Sequence, residues 1–164
     1  MALKFELSAK SMDSRFARAM KGLRSFGSMG VSIGFLQGVS QNRRKEPLTN
    51  ALLGYVHENG SEVAGIPARP FLVPAMKRNR REVTECLEKG LQEASDGDLF
   101  ALPTALSTIG TLVRDAAKEN IVGSVGMAPL NEDTLKARKR AGFAGTKPLV
   151  MTAQLLNAIH FRVR

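Results

Sequence analysis

The stretch SDGDLFALPTALSTIGTLVRDA, residues 95–116, decides how the rest of the chain is read. Its apolar residues Leu99, Leu102, Leu106, Ile109, Val113 and Ala116 recur at alternating steps of three and four, the period of a helix with one buried face. Ser95-Asp96-Gly97-Asp98 ahead of it reads as a turn, with Asp98 placed to cap the helix. Before that turn, a second long helix is predicted after Pro74, with Leu72, Met76, Val83, Leu87, Leu91 and Ala94 on its buried face. Two consecutive amphipathic helices joined by a short turn pack as an antiparallel pair that shares one core. Lys77, Arg78, Arg80, Arg81 and Glu82 crowd the first exposed turns of the earlier helix. Cations near a helix N-terminus oppose the macrodipole, so these residues are read as a surface for a partner.

Working outward, Met12, Phe16, Ala19, Met20 and Leu23 form the stripe of an amphipathic helix over residues 8–24, which the sequence 25–30 breaks. From Met29 to Gln37 the period becomes two, with Val31, Ile33 and Phe35 alternating with Ser32 and Gly34, which predicts a half-buried strand; Gly34 marks a bulge or a close neighbour. Residues 38–47 carry Gln41, Asn42, Arg43, Arg44, Lys45 and Glu46 without apolar periodicity and read as an exposed, mobile loop or hairpin tip. Thr49 or Asn50 caps a short helix through Tyr55 and His57 that Gly60 ends, and Gly65, Pro67 and Pro70 make a rigid connection. Downstream, 123–129 reads as a loop, 132–141 as a short basic helix, 141–148 as a loop and 149–159 as a helix with Leu149, Ala153, Leu156 and Ile159 inward. Ile159, Phe161 and Val163 then alternate with His160, Arg162 and Arg164, a terminal strand. The expected class is α+β: a long amphipathic helix pair plus shorter helices packed on a small antiparallel sheet, in a single domain over 1–164.

Composition bounds the function classes. With 164 residues the chain can remove roughly 70% of its unfolded surface from water, so it needs neither disulfide nor metal to hold a core. The 24 Lys and Arg against 15 Asp and Glu give a net charge of +9 and a pI near 10.2. Cys86 is the only cysteine, and a zinc site would have to join it to the distant His57 and His160, so no metal and no cofactor are expected. The charge-free run 99–113 contains Pro103 and Gly110 and falls short of the roughly 20 apolar residues that span a bilayer. Lys4, Glu6, Lys10 and Asp13 interrupt any signal-peptide core, and a reducing cytoplasm is the expected setting of synthesis.

No constellation for catalysis survives inspection, so the chain is expected not to be an enzyme. His57-Glu58 begins like a zincin helix, but Ser61 stands where the second histidine belongs. Cys86, beside Leu87 and three residues after Val83, reads as a packed, inert thiol. Gly123-Ser124-Val125-Gly126 lacks the lysine and spacing of a phosphate-binding loop and reads as a turn. Three basic clusters remain: Arg43-Arg44-Lys45, Lys77-Arg78 with Arg80-Arg81, and Lys136 with Arg138-Lys139-Arg140. They suit counterion-releasing contacts with nucleic acid, an acidic protein partner, or a solvated face. One Tyr, no Trp and no helix-turn-helix or zinc pattern leave sequence-specific nucleic-acid recognition without its usual supports.

The segment 53–61, LGYVHENGS, followed by 66–75, IPARPFLVPA, resembles the His-Glu-Phe-Gly-Ser then Ile-Pro-Ala-Arg-Pro-Phe-Leu signature of tailed-phage virion morphogenesis and tail-completion (neck) proteins. The motif residues are His57, Glu58, Gly60, Pro67, Arg69, Pro70 and Phe71. The downstream order is similar too: Pro129-Leu130, Thr134 and Arg138, then Lys147-Pro148-Leu149, Thr152, Leu155 and Ile159 before a closing strand. Asn59 departs from the pattern where an aromatic is common, and Met127-Ala128 and Ala153 stand where tryptophan and glycine are usual. The resemblance implies a structural, non-enzymatic virion protein of the neck or tail end, assembled in the bacterial cytoplasm and needed to join tail to head. It implies a homo-oligomeric ring, with a hexamer as one candidate, that meets other neck, connector, tail-tube or terminator proteins and has passive contact with DNA in its lumen.

Read physically, Pro67 and Pro70 leave Arg69 little freedom, so its guanidinium is held either for a carboxylate on a partner or for Glu58 or Glu62 of its own subunit. Phe71 and Leu72 read as core anchors, and His57 and Glu58 as serving the local turn in preference to an interface between subunits. Arg43, Arg44, Lys45, Arg69, Lys77, Arg78, Arg80 and Arg81 are the expected partner-binding residues. The alternative function is a small basic DNA-binding protein.

Overall fold

A computed structural model describes residues 27–36, 49–149 and 153–164. In chain order its elements are strand β1 (Val31–Gly34), helices α1 (Asn50–Asn59), α2 (Leu72–Arg78), α3 (Arg80–Ser95), α4 (Ala101–Gly123), α5 (Glu132–Arg140) and α6 (Gln154–Asn157), and strand β2 (His160–Val163). The described residues are mostly helical with one two-stranded antiparallel sheet, a mixed α and β architecture. The expected helix at 8–24, the loop at 38–47 with Arg43, Arg44 and Lys45, and Thr152 lie outside the described residues.

Helix α4 is the centre of the molecule. Its stripe is buried at Leu102, Leu106, Ile109, Val113 and Ala116, as the spacing predicts, and burial continues through Ala117, Asn120 and Ile121. Leu99 departs from that reading, because residues 99 and 100 form a turn before the helix starts and leave it 61% exposed. Asp98 acts just ahead of the helix, where its Oδ1 accepts from Phe100 N at 2.9 Å. Helices α3 and α4 pack side by side across the turn. Gly90 permits their close approach, since a Cβ there would stand 2.5 Å from Ala105 Cβ.

Register in the sheet runs Val31 with Val163, Ser32 with Arg162, Ile33 with Phe161 and Gly34 with His160. Gly30 and Arg164 exchange a pair of 2.9 Å backbone bonds at its end. The sheet lies against α4. Met29, Val31 and Val163, with Leu87 of α3, cover Ala94, Ala101, Leu102 and Leu106. A second cluster of Phe71, Ala75, Ala116, Ala117, Ile121 and Ile159 forms where α2 meets the other end of α4, packed by Phe35, Leu72, Leu149 and Leu156. Among the described residues Gly34 has no close neighbour, Leu72 standing at an ordinary 3.8 Å from the position of a Cβ, and what calls for glycine there is its φ of 138°.

Two helices differ from the sequence reading. The long helix after Pro74 is two helices, broken at Asn79, whose side-chain amide donates to Ala75 O at 2.8 Å while its backbone N–H goes to the same carbonyl at 3.2 Å. A side chain that satisfies the orphan carbonyls competes with continuation of the helix. The break leaves Met76 and Leu91 exposed rather than on a common buried face. Of the helix expected over 149–159, the described residues form only Gln154–Asn157, because Leu149 (φ 63°) and Ala153 (φ 51°) are left-handed and cannot belong to a right-handed helix.

Candidate functional site

The stretches that carry the family resemblance converge on one end of α4, and local sequence explains each step. Thr49 accepts from Leu52 N at 3.1 Å and starts α1. Gly60 ends it at φ 77°, a left-handed value, with the backbone of Ala68 2.9 Å from where a Cβ would be, so only glycine fits. Ser61 and Ile66 then exchange two backbone bonds of 2.8 and 2.9 Å, closing a tight excursion with Val63 fully exposed at its tip. The chain returns alongside α1, where Arg69 N donates to His57 O at 2.6 Å.

Glu58 has a role that spacing alone does not reveal. Its Oε2 accepts from Phe71 N at 2.9 Å and Leu72 N at 3.0 Å, and its Oε1 accepts from Val73 N at 2.8 Å. The carboxylate of α1 thus caps α2, satisfying orphan N–H groups and meeting the positive end of the helix dipole. Asn120 of α4 closes the same turn from the other side, its Nδ2 donating to Phe71 O at 2.9 Å in a buried bond. Glu58 therefore serves not the turn that ends its own helix but a helix N-terminus thirteen to fifteen positions on.

Arg69 corrects its sequence reading on both counts. It is only 6% exposed, so it presents nothing to a partner, and it pairs with neither Glu58 nor Glu62. Its Nε donates to Ala128 O and its Nη2 to Pro129 O, each at 2.8 Å, so the rigid Pro67–Pro70 segment clamps the loop that follows α4. Burial, and secondarily the nearby Arg138 charge, lowers the pKa of this guanidinium from its ordinary value. Arg138 is a second internal brace: from the last turn of α5 its Nη1 donates to Gly145 O at 3.1 Å and Lys147 O at 2.8 Å. Lys147 Nζ in turn donates to Val122 O at 3.0 Å. Pro148 is buried and Leu149 packs against the Phe71 cluster.

Lys77, Arg78, Arg80 and Arg81, four of the residues expected to bind a partner, are exposed but differently placed. Because α2 ends at Arg78, Lys77 and Arg78 sit in its last turn, where cations favour the dipole, and only Arg80 and Arg81 sit at the start of α3 beside Glu82. The conflict with the macrodipole that marked all four as anomalous applies only to the last two. Arg78 reaches Glu119 at 3.7 Å and Arg81 reaches Glu85 at 2.7 Å, both in solvent. Such pairs contribute at most about 1 kcal/mol and leave the cations available for a stronger partner.

Near the sheet, Arg114 binds Asp115 through Nε (2.7 Å) and Nη2 (3.0 Å) and lies over the Phe161 ring at 5.4 Å from its centroid. Hydrogen bonding to Arg114 holds the Asp115 carboxyl below its usual range, against an opposing push from burial. Cys86 is half-buried rather than packed, with its Sγ 3.6 Å from Ala105 O. Among the described residues no three His, Cys, Asp or Glu side chains gather as a metal site, and no described helix is long and apolar enough to cross a membrane.

Two positions escaped the sequence reading. Asn120 falls four residues after Ala116 on the buried stripe, and a polar side chain there is the signal of a buried, satisfied donor. Arg138 entered the basic-cluster count as a surface charge, and nothing local distinguishes it from Lys139 or Arg140. Set against known protein families, characterised proteins and solved structures, the chain matches none.

Proposed function

We propose that this chain is a structural, non-enzymatic subunit of the head-to-tail junction of a tailed phage or prophage, acting in tail completion or neck assembly. The observation that carries the reading is the joining of its two resembling blocks. Residues 57–71 and 128–149 are far apart in sequence, yet Arg69 donates directly to Ala128 and Pro129, and Arg138 braces the run that leads into Pro148-Leu149. In this reading the motif builds the scaffold, and binding falls to the surface cations Lys77, Arg78, Arg80 and Arg81 with the cluster Arg43, Arg44 and Lys45.

A neck subunit must meet identical copies laterally and different proteins above and below, and cyclic symmetry repeats each modest contact around a ring. The two-stranded sheet supplies a route for lateral pairing. With Gly30 and Arg164 as a hydrogen-bonded pair, the backbone groups of Val31, Ile33, Phe161 and Val163 point to the sheet's outer edges, where a neighbour's strand can add.

The test is electron microscopy of lysates from the parent phage with this gene deleted and then supplied in trans. Full heads beside separate tails, rejoined on complementation, are expected. Normal infectious particles without the gene would overturn the reading and turn attention to duplex binding, whose mark is log affinity falling with log salt by about 0.9 per phosphate contacted.

A further inference from the structure

Each end of α3 carries charge that its dipole disfavours, and each adjoins exposed apolar surface. Arg80 and Arg81 stand in the first turn beside Glu82, while the last turn holds no cation and Glu93 and Asp96 lie in it and just after it. Past the acidic end, the α3–α4 turn presents Leu99 and Phe100 to solvent, the second 79% exposed. Phe100 occupies the N-cap of α4, where an oxygen-bearing side chain is preferred and a phenyl ring satisfies no helix N–H group. At the basic end, Val73 and Met76, three positions apart, share an exposed face of α2. Residues 72–81 hold Lys77, Arg78, Arg80 and Arg81 and no acid, and residues 92–100 hold Glu93, Asp96 and Asp98 and no cation. The pairs Arg78–Glu119, Arg81–Glu85 and Lys89–Glu93 all lie in solvent, and pairs of that kind exchange readily for a better partner.

We propose that these two surfaces are the halves of one contact between copies of this chain: the acidic turn of one copy, with Leu99 and Phe100, docks on the basic α2–α3 junction of the next, with Val73 and Met76. Three observations choose a second copy as the occupant. First, charge and apolar surface complement together, so the same approach that brings acids to cations covers the exposed Phe100 ring with Met76, whose flexible thioether side chain suits an aromatic neighbour. Second, the halves cannot meet within one chain. Sixteen residues of α3, a rod about 24 Å long, separate them. Ala75 of α2 packs with Ala116, Ala117 and Ile121 near the far end of α4, whereas the acidic turn adjoins its start at Ala101. Third, neither end of α3 gains from its charges in the isolated subunit, where the dipole opposes both. A contact between two different patches is heterologous, so every copy keeps both halves in use and successive copies close into a ring or run on as a fibre. The inference deepens the ring-forming part of the proposed function and rests on that reading only for closure of the ring; it uses surface distinct from the sheet edges.

Sedimentation velocity of the full chain, at low salt and across a concentration series, tests the contact. The wild-type chain should gain mass with concentration. R80E/R81E and E93K/D96K should each weaken this association about tenfold or more, because each sets like charges against one another across the contact. Both should keep the wild-type fold by circular dichroism, since each exchange gives α3 the charge its dipole favours. Mixing decides the pairing. The two variants together should associate, the lysine-bearing turn of one meeting the glutamate-bearing junction of the other, and the chain with all four substitutions should associate alone. F100S, which removes the apolar half, should also weaken association about tenfold or more. A wild-type chain that stays monomeric, association indifferent to the reversals or to F100S, or no recovery in the mixture and the quadruple variant would overturn the proposal. Loss of duplex binding in R80E/R81E with self-association unchanged would assign the basic end to nucleic acid instead. The phage reading fails separately: a chain that associates in this way yet is dispensable for joining heads to tails keeps the contact and loses the proposed function, and the converse pair of results keeps the function and loses the contact.

Discussion

Glu58 shows how much one side chain can organise here. Its two carboxylate oxygens hold three backbone N–H groups at the start of α2, so it ties α1 to α2 and fixes the entry of Phe71 into the core. Glu58→Ala should cost about 2 kcal/mol in urea unfolding, and Glu58→Gln less, since the amide keeps one acceptor. Arg69 is the complementary brace. Arg69→Ala abandons the Ala128 and Pro129 carbonyls and should cost about 2 to 3 kcal/mol, with Arg69→Lys recovering part of it because an ammonium serves the fork geometry poorly. An unchanged midpoint in Arg69→Ala would return the residue to the role of partner contact. Asp115 gives a pH-dependent case. Its folded pKa lies below the unfolded value, so its pairing with Arg114 adds stability above about pH 4 that is lost as pH falls through the folded pKa. Its side chain is 49% exposed, so solvent screens the pair, and Asp115→Asn should flatten the acid limb of the stability curve while costing less than about 1 kcal/mol near neutrality.

Among the elements, the α3–α4 pair depends on closeness. Alanine is favoured over glycine within a helix by about 1 kcal/mol, yet a Cβ at Gly90 would stand 2.5 Å from the Ala105 Cβ, which is anchored directly to the facing helix. Overpacking of about 1 to 3 kcal/mol outweighs the propensity gain, so Gly90→Ala should lower stability by about 1 kcal/mol in urea unfolding. A gain in stability would mean that the helices can separate at no cost. The break at Asn79 is the other decision at this scale. It turns Lys77 and Arg78 from residues at odds with a helix dipole into residues that suit one, and it concentrates the electrostatic anomaly on Arg80 and Arg81.

For the whole molecule, positive charge is the distinguishing property, and it is unevenly spread: the helix pair is net acidic in a basic protein. In the proposed neck role, exposed cations that stabilise the fold little are the residues assigned to assembly. Replacing Lys77, Arg78, Arg80 and Arg81 by glutamate should leave the fold intact by circular dichroism and thermal unfolding. In complementation it should yield full heads beside unjoined tails, as should charge reversal at Arg43, Arg44 and Lys45. Normal particle yield from both variants would remove these cations from the assembly surface.

The helix pair was legible from the sequence because its cause is local: the three-four spacing of Leu102, Leu106, Ile109, Val113 and Ala116 admits one buried face, and Asp96-Gly97-Asp98 admits a turn. The limits of α1, set by Thr49 and Gly60, and the strand character of the segments near 31 and 161 follow from capping and period-two alternation in the same way, whereas the pairing of those strands with each other is seen only in the structure. The partners of Glu58, Arg69, Asn120 and Arg138 were decided only by the tertiary structure. Hydrogen bonds spanning up to sixty positions leave no periodic trace, and an arginine that braces carbonyls is spelled like one that faces solvent. The split at Asn79 and the left-handed Leu149 and Ala153 belong with them, since each sets a local side-chain bond or backbone turn against an apolar pattern that would have continued the helix. Periodicity therefore determined which segments are helices and strands, and long-range polar contacts determined how the resembling motif locks them together.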